Sequence, residues 1–204
     1  STLFVSCYST KHIQQDNYIL KKNTITINND TTNKLNNLSE KEINLILKQQ
    51  PNKKMIGLIP FHIWVYNISN PNKHNWINNY LRQMGEAPIV LNEKLVEKSV
   101  SQIKSYFENN GYFTSEVTSN IAYKNRKASV EYTIHTGGSY LIDEIQYNVK
   151  QNTNINTLIQ NRIKNSHLKK GNIFTYNALN EERKRIEILL KNNGYYKFSK
   201  DLIY

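Results

Sequence analysis

The chain has 204 residues, of which 38% are hydrophobic, so it has room for one large or two small domains with modest cores. Its 27 basic and 16 acidic residues give a formal net charge of +11, which suits a nucleic-acid binder, a protein near anionic lipid, or a solvated basic surface. Lysines are spread along nearly the whole chain, which favours the solvated surface. A single cysteine excludes an internal disulfide and a cysteine-based metal cage.

The six residues before Cys7 resemble the end of an apolar signal segment. Bacterial lipoproteins are cleaved before such a cysteine and acylated on it. Val5 and Ser6 fit that pattern, whereas Phe4 stands where leucine is usual. Residues 1–15 are therefore interpreted as a signal remnant and tether, with Cys7 as the candidate lipid attachment site. The alternative is a cysteine that stands there by chance.

Alternating β-branched and polar residues over Tyr18–Ile27 predict the first strand. A helix is predicted after Ser39, because Ser39 and Glu42 have the spacing of a capping box, in which the serine hydroxyl accepts from the glutamate amide. Pro51 ends this helix, since proline cannot continue it. Residues 51–91 are irregular and are predicted to form an insertion before the next helix.

A longer helix is predicted from the N-cap residue Asn92 to the stop signal at Gly111. One of its faces carries Val96, Val100, Ile103 and Phe107. Two strands follow, joined by a short linker at 124–126, and their alternation predicts an antiparallel hairpin with one buried face. The first of these strands runs over about 113–123, and its polar face consists of Thr114, Glu116, Thr118 and Asn120.

The pair Gly137-Gly138 marks a boundary. After it the pattern predicts a strand over 140–149, a helix near 154–163 and a second helix at about 176–192. A further strand is predicted to begin near Lys197.

The segments Asn109–Phe113 and Asn192–Tyr196 have nearly the same sequence, and a shift of 83 residues carries one onto the other. The same shift aligns the two preceding helices at their caps and on most of their apolar faces. Self-similarity at a fixed period is typical of an array of modules. Two unrelated helix–glycine–strand units are the alternative.

The sequence contains no recognisable catalytic or metal-binding constellation. The five histidines are scattered, and adjacent carboxylates such as Asp143-Glu144 and Glu181-Glu182 do not face each other on a strand or helix. Cys7 lies in a tether without a neighbouring base. We therefore expect no enzyme activity, no metal and no cofactor.

The order strand–helix–helix–strand–strand, with a second helix that ends in Gly-Tyr-aromatic, resembles that of polypeptide-transport-associated (POTRA) domains. The segment Lys170–Phe174 stands where that family has a glycine and an aromatic residue, although Asn172 replaces the usual acidic residue. The segment from Glu181 to Tyr196 is similar to the family's helix-to-strand signature. The resemblance implies an α+β fold of tandem POTRA modules with β-α-α-β-β order. The first, 16–136, has an insertion between its helices, and the second, 137–204, is incomplete.

Three N-terminal segments, 48–54, 60–67 and 81–88, resemble the TamL-like lipoprotein branch of the BamA/TamA family in Bacteroidetes. In that branch an acylated cysteine precedes the first module, as Cys7 does here. The resemblance implies a location on the periplasmic side of the outer membrane, with a lipid anchor and a C-terminal barrel beyond Tyr204.

The resemblance also implies a scaffold that binds polypeptides by β-augmentation at its second strand, with Thr114, Glu116, Thr118 and Asn120 as candidate contact residues. The implied partners are unfolded outer-membrane proteins or a TamB-like periplasmic protein, and not nucleic acid. Two alternatives remain open. One is a basic α+β nucleic-acid-binding protein, which would bind DNA or RNA strongly and salt-sensitively. The other is a POTRA module of a secretion or envelope lipid-transport system.

Overall fold

A computed structural model describes residues 17–28, 38–52, 87–149 and 153–204. These residues fall into two compact units. The first unit holds the described residues up to Ile103 together with Val117–Ile134. The second holds Lys104–Glu116 and His135–Tyr204.

The described residues form strands and helices in a mixed α+β order, as the sequence predicts. They are β1 (Ile19–Asn28), α1 (Glu40–Ile46), α2 (Glu93–Asn109), β2 (Glu116–Lys124), β3 (Lys127–His135), α3 (Thr153–Asn161) and α4 (Tyr176–Lys191). Short 3-10 turns occupy Ile163–Asn165 and Lys200–Leu202. The three strands form one sheet in the order β1-β3-β2.

The central strand β3 shows the predicted alternation in full. Its buried side chains are Ala128, Val130, Tyr132 and Ile134. The turn to β3 consists of Asn125 and Arg126, whose φ angles of 49° and 57° are left-handed. Such a two-residue turn matches the twist of paired antiparallel strands, so it sets the β2–β3 hairpin.

Strand β1 runs in the same direction as β3. At the start of both strands the Ile19 amide donates to the Arg126 carbonyl at 3.1 Å. Further along both, the Thr26 hydroxyl donates to Glu131 Oε1 at 3.3 Å. Residue numbers therefore increase together, and the sheet is parallel between β1 and β3 but antiparallel between β3 and β2.

Both helices of the first half begin at the predicted caps. The Ser39 hydroxyl accepts from the Glu42 amide at 3.2 Å, and Asn92 Oδ1 accepts from the Lys94 amide at 3.0 Å. Helix α1 ends at Ile46, ahead of Pro51. Of the face predicted for α2, three residues are buried and Val100 is half-buried; the buried ones are Val96, Ile103 and Phe107.

The described ends of the predicted insertion lie side by side. Asn52 Nδ2 donates to the Ala87 carbonyl at 3.0 Å, and Asn52 Oδ1 accepts from the Ile89 amide at 2.9 Å. A long segment is tolerated best where its two ends are held close together. Residues 53–86, which make up most of the insertion, lie outside the described residues.

The second unit has its own small core between α3 and α4. Ile159, Ile186 and Leu190 are its buried members. Around them pack partly buried side chains from the flanking segments, namely Tyr147, Val149, Ile155, Leu158, Leu189, Tyr195, Phe198 and Ile203. Helices α3 and α4 correspond to the two helices predicted for this part of the chain.

Two predicted strands of the second unit do not form. Over 140–149 there is a single antiparallel bridge, between Leu141 and Ile173. Near Lys197 the chain turns instead, and the Ser199 hydroxyl accepts from the Asp201 amide at 3.2 Å. Alternating side chains favour an extended segment, but a strand also needs a hydrogen-bonded neighbour along its length. Among the described residues such pairing reaches only 140–142 of the first stretch, and no bridge forms near Lys197.

Candidate functional site

Strand β2 lies at an edge of the sheet. Its inner side pairs with β3, and among the described residues no strand or bridge pairs with its outer side. The other edge strand, β1, is covered at its start by the segment around Val90: the Leu20 amide donates to the Ile89 carbonyl at 2.8 Å. An uncovered edge offers a row of backbone donors and acceptors to another chain.

The hairpin turn fixes which backbone groups of β2 face outward. With a two-residue turn, Lys124 lies opposite Lys127 and Thr118 lies opposite Thr133. In an antiparallel ladder, alternate residues of a strand bond to its neighbour. The even-numbered residues of β2 therefore bond to β3. The backbone groups that face away from the sheet belong to Val117, Ser119, Ile121 and Tyr123.

Three of the four predicted contact residues lie on this strand. Glu116, Thr118 and Asn120 are exposed on β2. Thr114 lies before the strand, because the Ser115 amide donates to the Tyr112 carbonyl at 3.2 Å and closes a turn ahead of β2. The predicted start of the strand near residue 113 is therefore wrong, whereas the role of Thr114 as a contact residue stays a prediction. The predicted lipid site, Cys7, lies outside the described residues.

The end of β2 is held in place by Tyr123. Its hydroxyl donates to Glu93 Oε1 at 2.6 Å, and this hydrogen bond raises the pKa of Tyr123 to about 12. The ring of Tyr123 lies 4.5 Å from that of Tyr18, centroid to centroid. These contacts join the end of β2 to α2 and to the residue before β1.

Helix α2 carries a fully buried polar side chain, Ser99. Its hydroxyl accepts from the Lys48 amide at 2.9 Å and donates to the Leu95 carbonyl at 2.8 Å. It also bonds to the hydroxyl of Tyr132, whose pKa is raised by burial. Ser99 thus satisfies a backbone amide of the loop that follows α1.

Helix α4 has an equivalent residue in Glu182, which is 2% exposed. Its Oε2 accepts from the His167 amide at 2.9 Å, and its Oε1 accepts from the Tyr147 hydroxyl at 2.7 Å. Arg185 binds both carboxylate oxygens, at 2.6 and 2.9 Å. Burial by itself raises the pKa of Glu182, but the hydrogen bonds it accepts and the charge of Arg185 lower it to about 2.

The shift of 83 residues carries Ser99 onto Glu182. Both are buried polar residues on the inner face of a helix, and both accept from an amide just after the preceding helix or turn. The sequence interpretation treats Glu182 only as half of an adjacent carboxylate pair and misses this role. The sequence feature that could have revealed this role is a polar residue at the same position in both aligned helices.

The described residues hold no group of three or more histidine, cysteine, aspartate or glutamate side chains placed to bind a metal ion. Within the same ranges, none of the helices is long and apolar enough to cross a membrane. The strand edge at β2 offers backbone hydrogen bonding as its chemistry.

Comparison with known proteins matches the chain to one family model. The family model for POTRA, described as a surface antigen variable number repeat, matches residues 25–137. Among solved structures the chain is similar to the crystal structure of Haemophilus influenzae BamA POTRA3-5. The two share 11% identity with a TM-score of 0.31, and the match covers 90% of this chain and 89% of that one. No curated protein sequence matches the chain.

Proposed function

The chain belongs to the POTRA family, and from this premise we propose that it is a periplasmic scaffold of an outer-membrane assembly or translocation factor. In this role it binds extended polypeptide segments along β2. The observation that carries the proposal is the outer side of β2, which no described strand or bridge covers and where every second residue turns its amide and carbonyl away from the sheet.

Binding at such an edge extends the sheet by one strand. The partner's backbone pairs with Val117, Ser119, Ile121 and Tyr123. Backbone bonds supply the affinity, and they are the same for any sequence. The exposed side chains of Thr118 and Asn120 are uncharged and small, so they impose little selection. This suits partners that share an extended conformation rather than a sequence, such as unfolded outer-membrane proteins.

The wider setting is also a proposal. Its support is the resemblance of three N-terminal segments to TamL-like lipoproteins of the BamA/TamA family, together with Cys7 behind a signal-like segment. We propose residues 16–136 and 137–204 as consecutive POTRA modules on a lipid-anchored chain, with a TamB-like protein as the second candidate partner. Mass spectrometry of the N-terminus from native membranes tests the anchor: an unmodified Cys7 contradicts it.

The edge is tested with a synthetic peptide of about ten residues that alternates apolar and polar side chains, as barrel strands do. We expect it to slow amide hydrogen exchange at Val117, Ser119, Ile121 and Tyr123. Exchange at Thr118 and Asn120 changes little, because those amides already bond to β3. Protection without this alternation, or protection confined to other elements, contradicts β-augmentation at β2.

Proline substitutions sharpen the test. Ser119→Pro removes an outward amide and blocks the added strand, while the edge position tolerates proline in the fold. We expect this variant to stay folded and to lose peptide binding. Ser119→Thr keeps the amide and serves as the matched control, with binding retained. Thr118→Pro removes a bond to β3 and should destabilise the hairpin instead.

A further inference from the structure

The two glycine corners of the chain have the same backbone geometry. The φ angles of Gly111 and Gly194 are +90° and +92°. The matching hydrogen bonds are Tyr112 N to Phe107 O and Tyr195 N to Leu190 O, both 3.0 Å, and Asn110 Nδ2 to Tyr106 O and Asn193 Nδ2 to Leu189 O, both 2.8 Å. The repeat seen in sequence is therefore also a repeat of local structure.

The first corner, at Gly111, is covered by later residues of the same compact unit. A Cβ atom at Gly111 would lie 2.3 Å from the Phe174 carbonyl oxygen and 2.5 Å from Ile173 Cγ2. The Gly111 carbonyl accepts from the Tyr140 amide at 2.8 Å. Backbone thus approaches this glycine closely from two segments, which the Leu141–Ile173 bridge holds together.

The aromatic residue after the first corner is packed among other rings. The centroid of Phe113 lies 5.2 Å from that of Tyr140, 5.9 Å from Phe174 and 6.2 Å from Tyr176. These separations and the edge-on angle to Tyr140 are those of favourable aromatic pairs. The corner and its cover form one apolar contact.

The second corner has no such cover among the described residues. A Cβ atom at Gly194 would have no described atom within 4 Å, and Tyr196, the counterpart of Phe113, is 80% exposed. No described residue donates a hydrogen bond to the Gly194 carbonyl. An open hollow of about 570 Å³ adjoins the corner and is lined by Gly194, Tyr195, Tyr196, Lys197, Phe198 and Leu202.

We propose that the corner at Gly194–Tyr196 is the docking surface for a further module of the same kind. The partner presents a paired segment like Tyr140–Ile142 with Gly171–Phe174. One backbone amide bonds to the Gly194 carbonyl, a carbonyl lies against the glycine, and an aromatic ring packs on Tyr196. The occupant follows from what covers Gly111, which has the same backbone and the same residue pattern. The proposal does not depend on binding at β2.

The experiment titrates the full ¹⁵N-labelled chain with a disulfide-closed peptide that joins copies of residues 139–143 and 170–176. The disulfide holds the two segments in the pairing of the Leu141–Ile173 bridge. We expect amide chemical shift changes at Gly194, Tyr195 and Tyr196, with roughly millimolar affinity, since a linked neighbour would act at an effective concentration of that order.

Three changes test the contact itself. A peptide with Phe174→Ser should no longer shift the corner. Tyr196→Ser in the chain removes an exposed ring and should abolish the response without affecting the fold. Gly194→Ala places a methyl group where the partner's carbonyl must lie and should also abolish the response. Ile188→Ser is the matched control, because Ile188 is an exposed apolar residue on α4, at 60%, outside the corner.

The proposal is overturned if the corner amides do not shift, or if the Phe174→Ser peptide shifts them equally. It is also overturned if the chain self-associates in sedimentation and Tyr196→Ser abolishes that association, because the surface then belongs to a second copy. Shifts at Val117–Tyr123 alone would assign the peptide to the strand edge and would likewise contradict docking at the corner.

Discussion

The aligned positions Ser99 and Glu182 perform one structural task with different chemistry. Each accepts a hydrogen bond from a loop amide, of Lys48 or of His167. Ser99 does so with a neutral hydroxyl. Glu182 does so with a buried carboxylate that needs Arg185 as its partner. The comparison shows that the position is set by the loop amide that each side chain accepts from, whereas the chemistry of the side chain can vary.

The spacing of these contacts also locates the difference in length between the two copies. His167 lies 119 residues after Lys48, whereas Glu182 lies 83 residues after Ser99. The first copy is therefore 36 residues longer between the loop amide and its helix partner. The insertion predicted at 51–91 falls within this longer interval, and Asn52 joins its described ends.

Glu182, the charged anchor of the loop at His167, should give the largest effect when it is replaced. Glu182→Gln leaves Arg185 buried without its counter-ion, and removing one partner of a buried pair costs about 3–5 kcal/mol. We expect urea unfolding to show a loss of that size. Glu181→Gln is the matched control, since Glu181 is a half-buried neighbour whose ion pair is with Lys184. Equal effects of the two variants would show that Glu182 is not an anchor.

The glycine corners give the next prediction. Alanine at Gly111 meets left-handed strain of about 1–2 kcal/mol and, in addition, overpacking of about 1–3 kcal/mol against Phe174. Alanine at Gly194 meets the strain alone, because the space beside it is open. Urea unfolding of both variants should therefore separate them by the overpacking term. Similar losses would mean that the cover of Gly111 adjusts freely.

The stability that Glu182 contributes should also depend on pH. The pKa of Glu182 is lowered from 4.5 to about 2 in the folded chain, so its contribution is complete above pH 4.5 and is lost as the pH falls towards 2. The stability difference between the wild type and Glu182→Gln should shrink over that window by about 3 kcal/mol. Both proteins carry the same exposed carboxylates, so the effect of acid on those groups cancels in the difference. A constant difference would contradict the lowered pKa.

Local patterns were sufficient for most elements of the fold. The caps at Ser39 and Asn92 and the alternation of β3 depend on neighbouring residues, and the structure places these elements as predicted. The same reasoning failed at 140–149 and near Lys197, where side chains alternate but the described pairing is limited to the bridge between Leu141 and Ile173. Pairing is a long-range property, and no local pattern contains it.

At the candidate edge, too, local sequence predicts some features and not others. The polar face of β2 could be read from alternation, but the strand begins at Glu116 and excludes Thr114, because a turn closed by the Tyr112 carbonyl precedes it. The outward amides could not be identified before the two-residue turn fixed the register. The anchor pair of Ser99 and Glu182 was missed because alignment by apolar residues overlooks a buried polar position.

Ser99, the neutral anchor of the loop at Lys48, should give the smallest effect of the series. Ser99→Ala removes the acceptor of the part-buried hydrogen bond from the Lys48 amide, and the loss of one such bond costs about 0.5–1.5 kcal/mol. Urea unfolding should show this loss, and amide exchange at Lys48 should accelerate. Ser101→Ala is the matched control: its hydroxyl bonds only to the Glu97 carbonyl on the exposed face, so stability should stay nearly unchanged. If Ser99→Ala were as costly as Glu182→Gln, the buried charge would add nothing to the anchor, and the distinction between the two copies would fail.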